Sequence, residues 1–205
     1  MKQTIAISEI LNTSWQSLKS QLWILIGLLI GYTIISFTLN MLLSAGIPII
    51  APLLSLVIGL IFSLGYLKNL FQTLDTIEPQ FSAYGQQARK ILTYFAANIL
   101  VSIVICIGFL LLIIPGIYLM LRLQFYLAFI VEEDAGIIDS LQRSWNITKG
   151  QELSLFFLFL TMIGLLILGA ILLGIGIFVA TPLVYMMYCV TFRKLNTSFP
   201  IIEEA

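Results

Sequence analysis

Arg122 carries the only formal charge in the 41-residue stretch 91–131. A guanidinium among so many apolar side chains has to pair, reach water or hold an anion. Asn40 and Asn98 are the amides that could share an intramembrane polar site with it, if their helical phases turn them inward. Glu132, Glu133 and Asp134 follow ten residues on. Carboxylates take hard cations, but three adjacent acids on a helix fan around its axis, so a solvated helix end is expected and no metal site. Arg143, Trp145 and Lys149 form a third group, two cations flanking an indole. That combination suits a lipid headgroup, with the ring fixing the depth and the cations meeting phosphate. The nearby acids offer the competing arrangement, in which the cations simply pair with them.

Histidine is absent, which removes imidazole ligands and the usual general base of serine and cysteine hydrolases. Cys106 and Cys189 lie in apolar runs and read as buried free thiols. No nucleophile, base and orienting group can be assembled, so the expectation is a protein that is not an enzyme, with no catalytic residue and no cofactor. Ten basic and ten acidic residues cancel, which argues against nucleic acid as a partner.

The elements that must position these residues are apolar. Residues 20–67 and 153–192 have no formal charge, and with 91–131 they form three blocks of 48, 40 and 41 residues. A helix crosses the hydrocarbon core in about 20 residues, so each block is long enough for two crossings. The expected fold is an all-α polytopic membrane protein of six spans in three hairpins, at roughly 22–44, 47–67, 92–113, 116–131, 153–173 and 175–192. The runs are apolar on every side, unlike the alternating strands of a membrane barrel. Ala45-Gly46-Ile47-Pro48, Ile114-Pro115-Gly116 and Gly174-Ile175-Gly176 are the expected tips. Nine of the ten basic residues fall on the side that holds both termini, which makes that side cytoplasmic. No small-residue cleavage site follows the first span, so no removed signal peptide is expected.

Each hairpin has an amphipathic lead-in, at residues 5–18, 80–91 and 137–148, expected to lie at the membrane interface with its aromatic rings anchored there. Gly27 and Gly31, and Ser55, Gly59 and Ser63, are small residues four apart. They favour close helix packing within the chain, or a homodimer or another membrane protein against the same face. At a constant offset of 130, Leu11, Ser14, Trp15, Lys19 and Gln21 coincide with Leu141, Ser144, Trp145, Lys149 and Gln151, and Pro52 with Pro182. The organisation expected is one membrane domain, 1–205, with 1–67 and 132–197 as parallel repeat units, 68–131 as a middle unit and 198–205 as a tail.

The run from Pro115 to Gly150 resembles the bacterial inner-membrane families grouped around the membrane domain of glycerophosphoryl diester phosphodiesterase. The residues that carry the likeness are Pro115, Gly116, Arg122, Glu133, Asp134, Leu141, Ser144, Trp145, Lys149 and Gly150. The resemblance implies multi-pass residence in a bacterial inner membrane. In the phosphodiesterase the chemistry belongs to a separate soluble barrel, which these 205 residues do not contain, so that activity is not expected. The leading expectation is a scaffold, lipid-associating or envelope-homeostasis protein with membrane lipids as partners. The alternative is a small transporter or channel that uses Arg122 for an anionic or amphipathic solute.

Overall fold

A computed structural model describes residues 6–44, 50–172 and 174–197. Among these residues there are ten helices and no strand. In chain order they are α1 Ile7–Lys19, α2 Leu22–Ser44, α3 Ile50–Leu74, α4 Ser82–Ala88, α5 Ile91–Leu111, α6 Ile113–Leu123, α7 Tyr126–Glu133, α8 Ile137–Ile147, α9 Glu152–Ile171 and α10 Ile177–Thr197. The tip expected at Ala45-Gly46-Ile47-Pro48 and the tail 198–205 lie outside the described residues.

Five stretches are long and apolar enough to cross a membrane: Leu22–Met41, Pro52–Leu74, Ile91–Leu111, Ile113–Glu133 and Glu152–Ile171. They are compatible with a multi-pass membrane protein, and the described residues are all-helical. The remaining long helix, α10, packs on α9, α1, α3 and α2, and it buries more of its own residues than any other helix. Thr181, Tyr185, Tyr188, Thr191, Arg193 and Lys194 make it more polar than the other long helices. A helix enclosed by protein can carry such groups because its neighbours can satisfy them.

Three expected spans differ appreciably from the observed helices; the sixth runs on past Phe192 to Thr197. The second continues past Lys68 to Leu74, because Lys68 is neutralised by Glu132 and does not end the helix. The fourth is two helices, since the ladder opens at Gln124-Phe125. Ser144 inserts at that point: its hydroxyl accepts from the Phe125 N–H at 3.0 Å and donates to the Arg122 carbonyl at 2.9 Å. A side chain entering the helical ladder is a recognised cause of a kink.

The second reversal also falls earlier than expected. It uses extended Leu112, and Pro115 occupies the first turn of α6, where a missing N–H does no harm. Beside it, a Cβ on Gly108 would sit 3.0 Å from the Gly116 Cα, so glycine at both positions lets α5 and α6 close together. In the third hairpin Gly169 and Gly176 play the same part, with a Cβ on Gly176 only 2.7 Å from the Gly169 carbonyl oxygen.

The short helices follow one rule. α4 packs on α3, α8 on α7 and α1 on α10, so each lies against the closing helix of another hairpin, and α1 completes the ring. At the middle of the bundle Phe192 of α10 meets Phe71 of α3, Phe125 at the α6–α7 break and Phe129 of α7, with ring centroids 4.9–6.1 Å apart. The offset of 130 reappears in the structure. Helices α1 and α8 start at Ile7 and Ile137, and α2 and α9 start at Leu22 and Glu152. The buried faces correspond too, Ile10, Ser14, Leu18 and Leu25 matching Ser140, Ser144, Thr148 and Leu155.

Candidate functional site

Helix α8 brings the third and first groups of candidate residues together. It descends alongside α7 and α6, so Ser144 and Thr148 both donate to the carbonyl of Arg122. Arg122 itself is 1 % exposed. Its guanidinium carbon lies 4.3 Å from the centroid of the Trp145 indole and 5.8 Å from that of Tyr118. The two rings meet edge to face. Glu152, the first residue of α9, approaches Arg122 Nη1 at 3.3 Å and also accepts from the Gly150 N–H at 3.0 Å. Gly150 can make that turn because it adopts φ +77°. Arg122 Nε is buried and has no partner among the described residues.

Arg122 therefore does not snorkel to the outer surface. It is held at the junction of α6, α8 and α9, and its partners are Trp145, Tyr118 and Glu152. The structure does not bring Asn40 or Asn98 to it. Asn40 donates to the Ser36 carbonyl of its own helix, and Asn98 lies between Tyr94 and Ser102 on α5. Tyr118 was legible in principle, since it precedes Arg122 by one turn, whereas Glu152 becomes a neighbour only once α8 folds back.

The two cations expected at a lipid headgroup separate. Arg143 donates to Glu133 and Asp139, both at 2.8 Å, and the bond to Asp139 first, then that to Glu133, holds its charge more firmly than usual against burial. Lys149 is exposed and has no ion pair among the described residues. Only Asp134 of the acidic run is exposed to solvent, and all three acids are paired. Glu132 joins Lys68 at 2.9 Å and Arg193 at 2.7 Å, Glu133 joins Arg143 and Asn196, and Asp134 joins Lys90 and Arg89. The three acids diverge, as the helical geometry predicts, and together they tie α3, α8, α10 and the start of α5 to the end of α7. Arg193 also makes a two-pronged pair with Asp75, and although burial works against its charge, Asp75 and Glu132 outweigh that and raise its pKa. No cluster of metal-binding side chains occurs among the described residues.

Of the small residues, Gly27 and Gly31 pack on nothing: a Cβ at either would meet no atom within 4 Å. They line an apolar groove of about 520 Å³ with Tyr32, Phe62, Phe81 and Tyr84. Gly59 faces the Tyr32 hydroxyl, 3.3 Å from where its Cβ would be, and Ser55 Oγ is buried without a partner. Ser63 is half-buried on α3. Cys106 is exposed, Cys189 is buried, and both are free thiols.

These features describe an all-helical protein, compatible with a multi-pass membrane protein, whose buried polar groups are concentrated where its short helices meet the long ones. The chain belongs to the family described as Domain of unknown function (DUF7847), which matches residues 45–202, more than three quarters of its length and everything from α3 to α10. No curated protein and no solved structure matches the chain. Nothing in the family match links the chain to the phosphodiesterase membrane domain that Pro115–Gly150 resembles.

Proposed function

We propose that the chain is a non-catalytic integral membrane protein whose short helices associate with lipid at one membrane face, in a scaffolding, lipid-associating or envelope-homeostasis role. In this reading α2, α3, α5, α6–α7, α9 and α10 form six spans in three hairpins, and α1, α4 and α8 lie at the cytoplasmic interface. The matching starts and buried faces of α1–α2 and α8–α9 support two repeat units, 1–67 and 132–197, around a middle unit, 68–131. Membrane lipids are the partners, and the open face of Gly27 and Gly31 is where a second copy or another membrane protein would pack. The bacterial inner membrane is favoured by the resemblance of Pro115–Gly150.

One observation carries the reading. The short helices bury one mixed face against the bundle, Ile10, Ser14 and Leu18 in α1, Ala83 in α4 and Ser140, Ser144 and Ile147 in α8, and yet leave large apolar side chains outside as well, Trp15 at 43 %, Phe81 just before α4 at 82 % and Ile138 at 57 % exposure. A water-soluble surface helix needs only the buried face, whereas a helix wedged between protein and headgroups can keep apolar groups on a second. Transport of an anionic solute through Arg122 is the weaker reading, because its guanidinium is enclosed by protein. Washing membranes with alkaline carbonate tests the proposal: the chain should stay in the pellet and leave it only with detergent. Release by carbonate alone would contradict it.

A further inference from the structure

We propose that Arg122 anchors a phosphate site, and that its ligand is the phosphodiester of an anionic phospholipid admitted when the Trp145 indole swings aside. The inference rests on the lipid-associating reading above and assigns it a specific site, distinct from Arg143 and Lys149. A guanidinium offers five N–H groups in a planar fork matched to phosphate or carboxylate. Here the one ion pair that Arg122 makes among the described residues is the 3.3 Å bond to Glu152, and its Nε is left without an acceptor among them. A buried cation so sparsely served gains from any anion that completes its fork.

Trp145 separates this cation from the outside. One part of the indole stacks on the guanidinium, and the same residue lines a shallow open cleft of about 430 Å³ together with Leu123, Leu141, Gln142 and Asn146. The cleft thus offers amide donors and apolar walls, the two needs of a headgroup and the start of its chains. Lys149, one turn beyond Trp145 and exposed, adds a second positive charge. Arg143 is committed to Glu133 and Asp139. Glu152 occupies the phosphate's place in the closed state and so acts as an internal competitor.

The test uses the full chain in mild detergent and native mass spectrometry, with phosphatidylglycerol, phosphatidylcholine, inorganic phosphate and glycerol 3-phosphate as probes. Wild type should bind phosphatidylglycerol in preference to phosphatidylcholine. Arg122→Gln should weaken phosphatidylglycerol about tenfold, the loss of one charge-assisted bond. Glu152→Gln, which keeps an oxygen for the Gly150 N–H, should strengthen it several-fold, an effect that a merely structural Arg122–Glu152 pair would not give. If Arg122→Gln fails to fold, Glu152→Gln decides alone. An unchanged preference in a folded Arg122→Gln, or no gain in Glu152→Gln, would overturn the proposal. Full displacement of phosphatidylglycerol by equimolar inorganic phosphate or glycerol 3-phosphate would overturn the lipid as ligand and leave a site for free phosphate. Wild type that retains neither lipid would instead contradict the lipid-associating reading itself, separating the two failures.

Discussion

Ser144 shows how much one hydroxyl decides. By accepting from Phe125 and donating to Arg122 it replaces the ladder bonds lost where α6 gives way to α7, and it fixes α8 against the break. Ser144→Ala leaves the buried Phe125 N–H unsatisfied, which costs about 1–3 kcal/mol. Ser14 occupies the corresponding position in α1, but its hydroxyl is buried without a partner, so Ser14→Ala is expected to be near neutral or slightly stabilising. Thermal unfolding of the two variants in detergent checks the contrast, and equal destabilisation would refute it. Acid has a separate target. The hydrogen bond from Lys90, with Arg89 nearby, holds the Asp134 carboxyl below its ordinary value. A depressed carboxylate contributes stability above its unfolded pKa and loses it as the pH falls through the lower folded value. Stability should therefore be level from about pH 5 to 8, where the sequence has no histidine to titrate, and should fall only in stronger acid. Asp134→Asn should flatten that acid limb, and an identical acid limb in the variant would show that the pair contributes nothing.

Among the elements, the long helices were the most legible. Uncharged runs with Gly and Pro between them located α2, α5 and α9 to within a residue or two. The α6–α7 break was not legible, because the group that fills it, Ser144, comes from a helix twenty residues further on and no local breaker marks the site. The same reason hid the partner of Arg122: Glu152 reads as an ordinary helix start until α8 is folded back. The amphipathic helices were visible as patterns, but periodicity alone could not say that Ser14 of α1 and Ser144 of α8 are buried while Trp15 stays exposed. Gly65 gives a measure of this packing, since a Cβ there would fall 2.2 Å from the Tyr84 ring that clamps α4 onto α3. Gly65→Ala should lower stability by about 1–3 kcal/mol through overpacking. Gly27→Ala, in open space, should leave the fold intact and gain a little helix propensity. Equal loss in both variants, read by detergent melting, would mean that the groove beside α2 is closed.

At the scale of the whole molecule, the acidic end of α7 links the hairpins. Lys68 of α3 and Arg193 of α10 converge on Glu132, so the closing helices of all three hairpins are tied at one level, above the Phe71, Phe129 and Phe192 contacts. That ring supports the proposed orientation, with this end of the bundle in one aqueous phase and the uncharged tips toward the other. The central claim is thus a six-span chain with Lys68, Gly150 and both termini on the cytoplasmic side. Single cysteines placed in a variant lacking Cys106 and Cys189, labelled in intact cells with a membrane-impermeant thiol reagent, test it most directly. Positions 46 and 174 should label from outside, and positions 68 and 150 should label only after the membrane is opened. External labelling at position 150 would contradict the account.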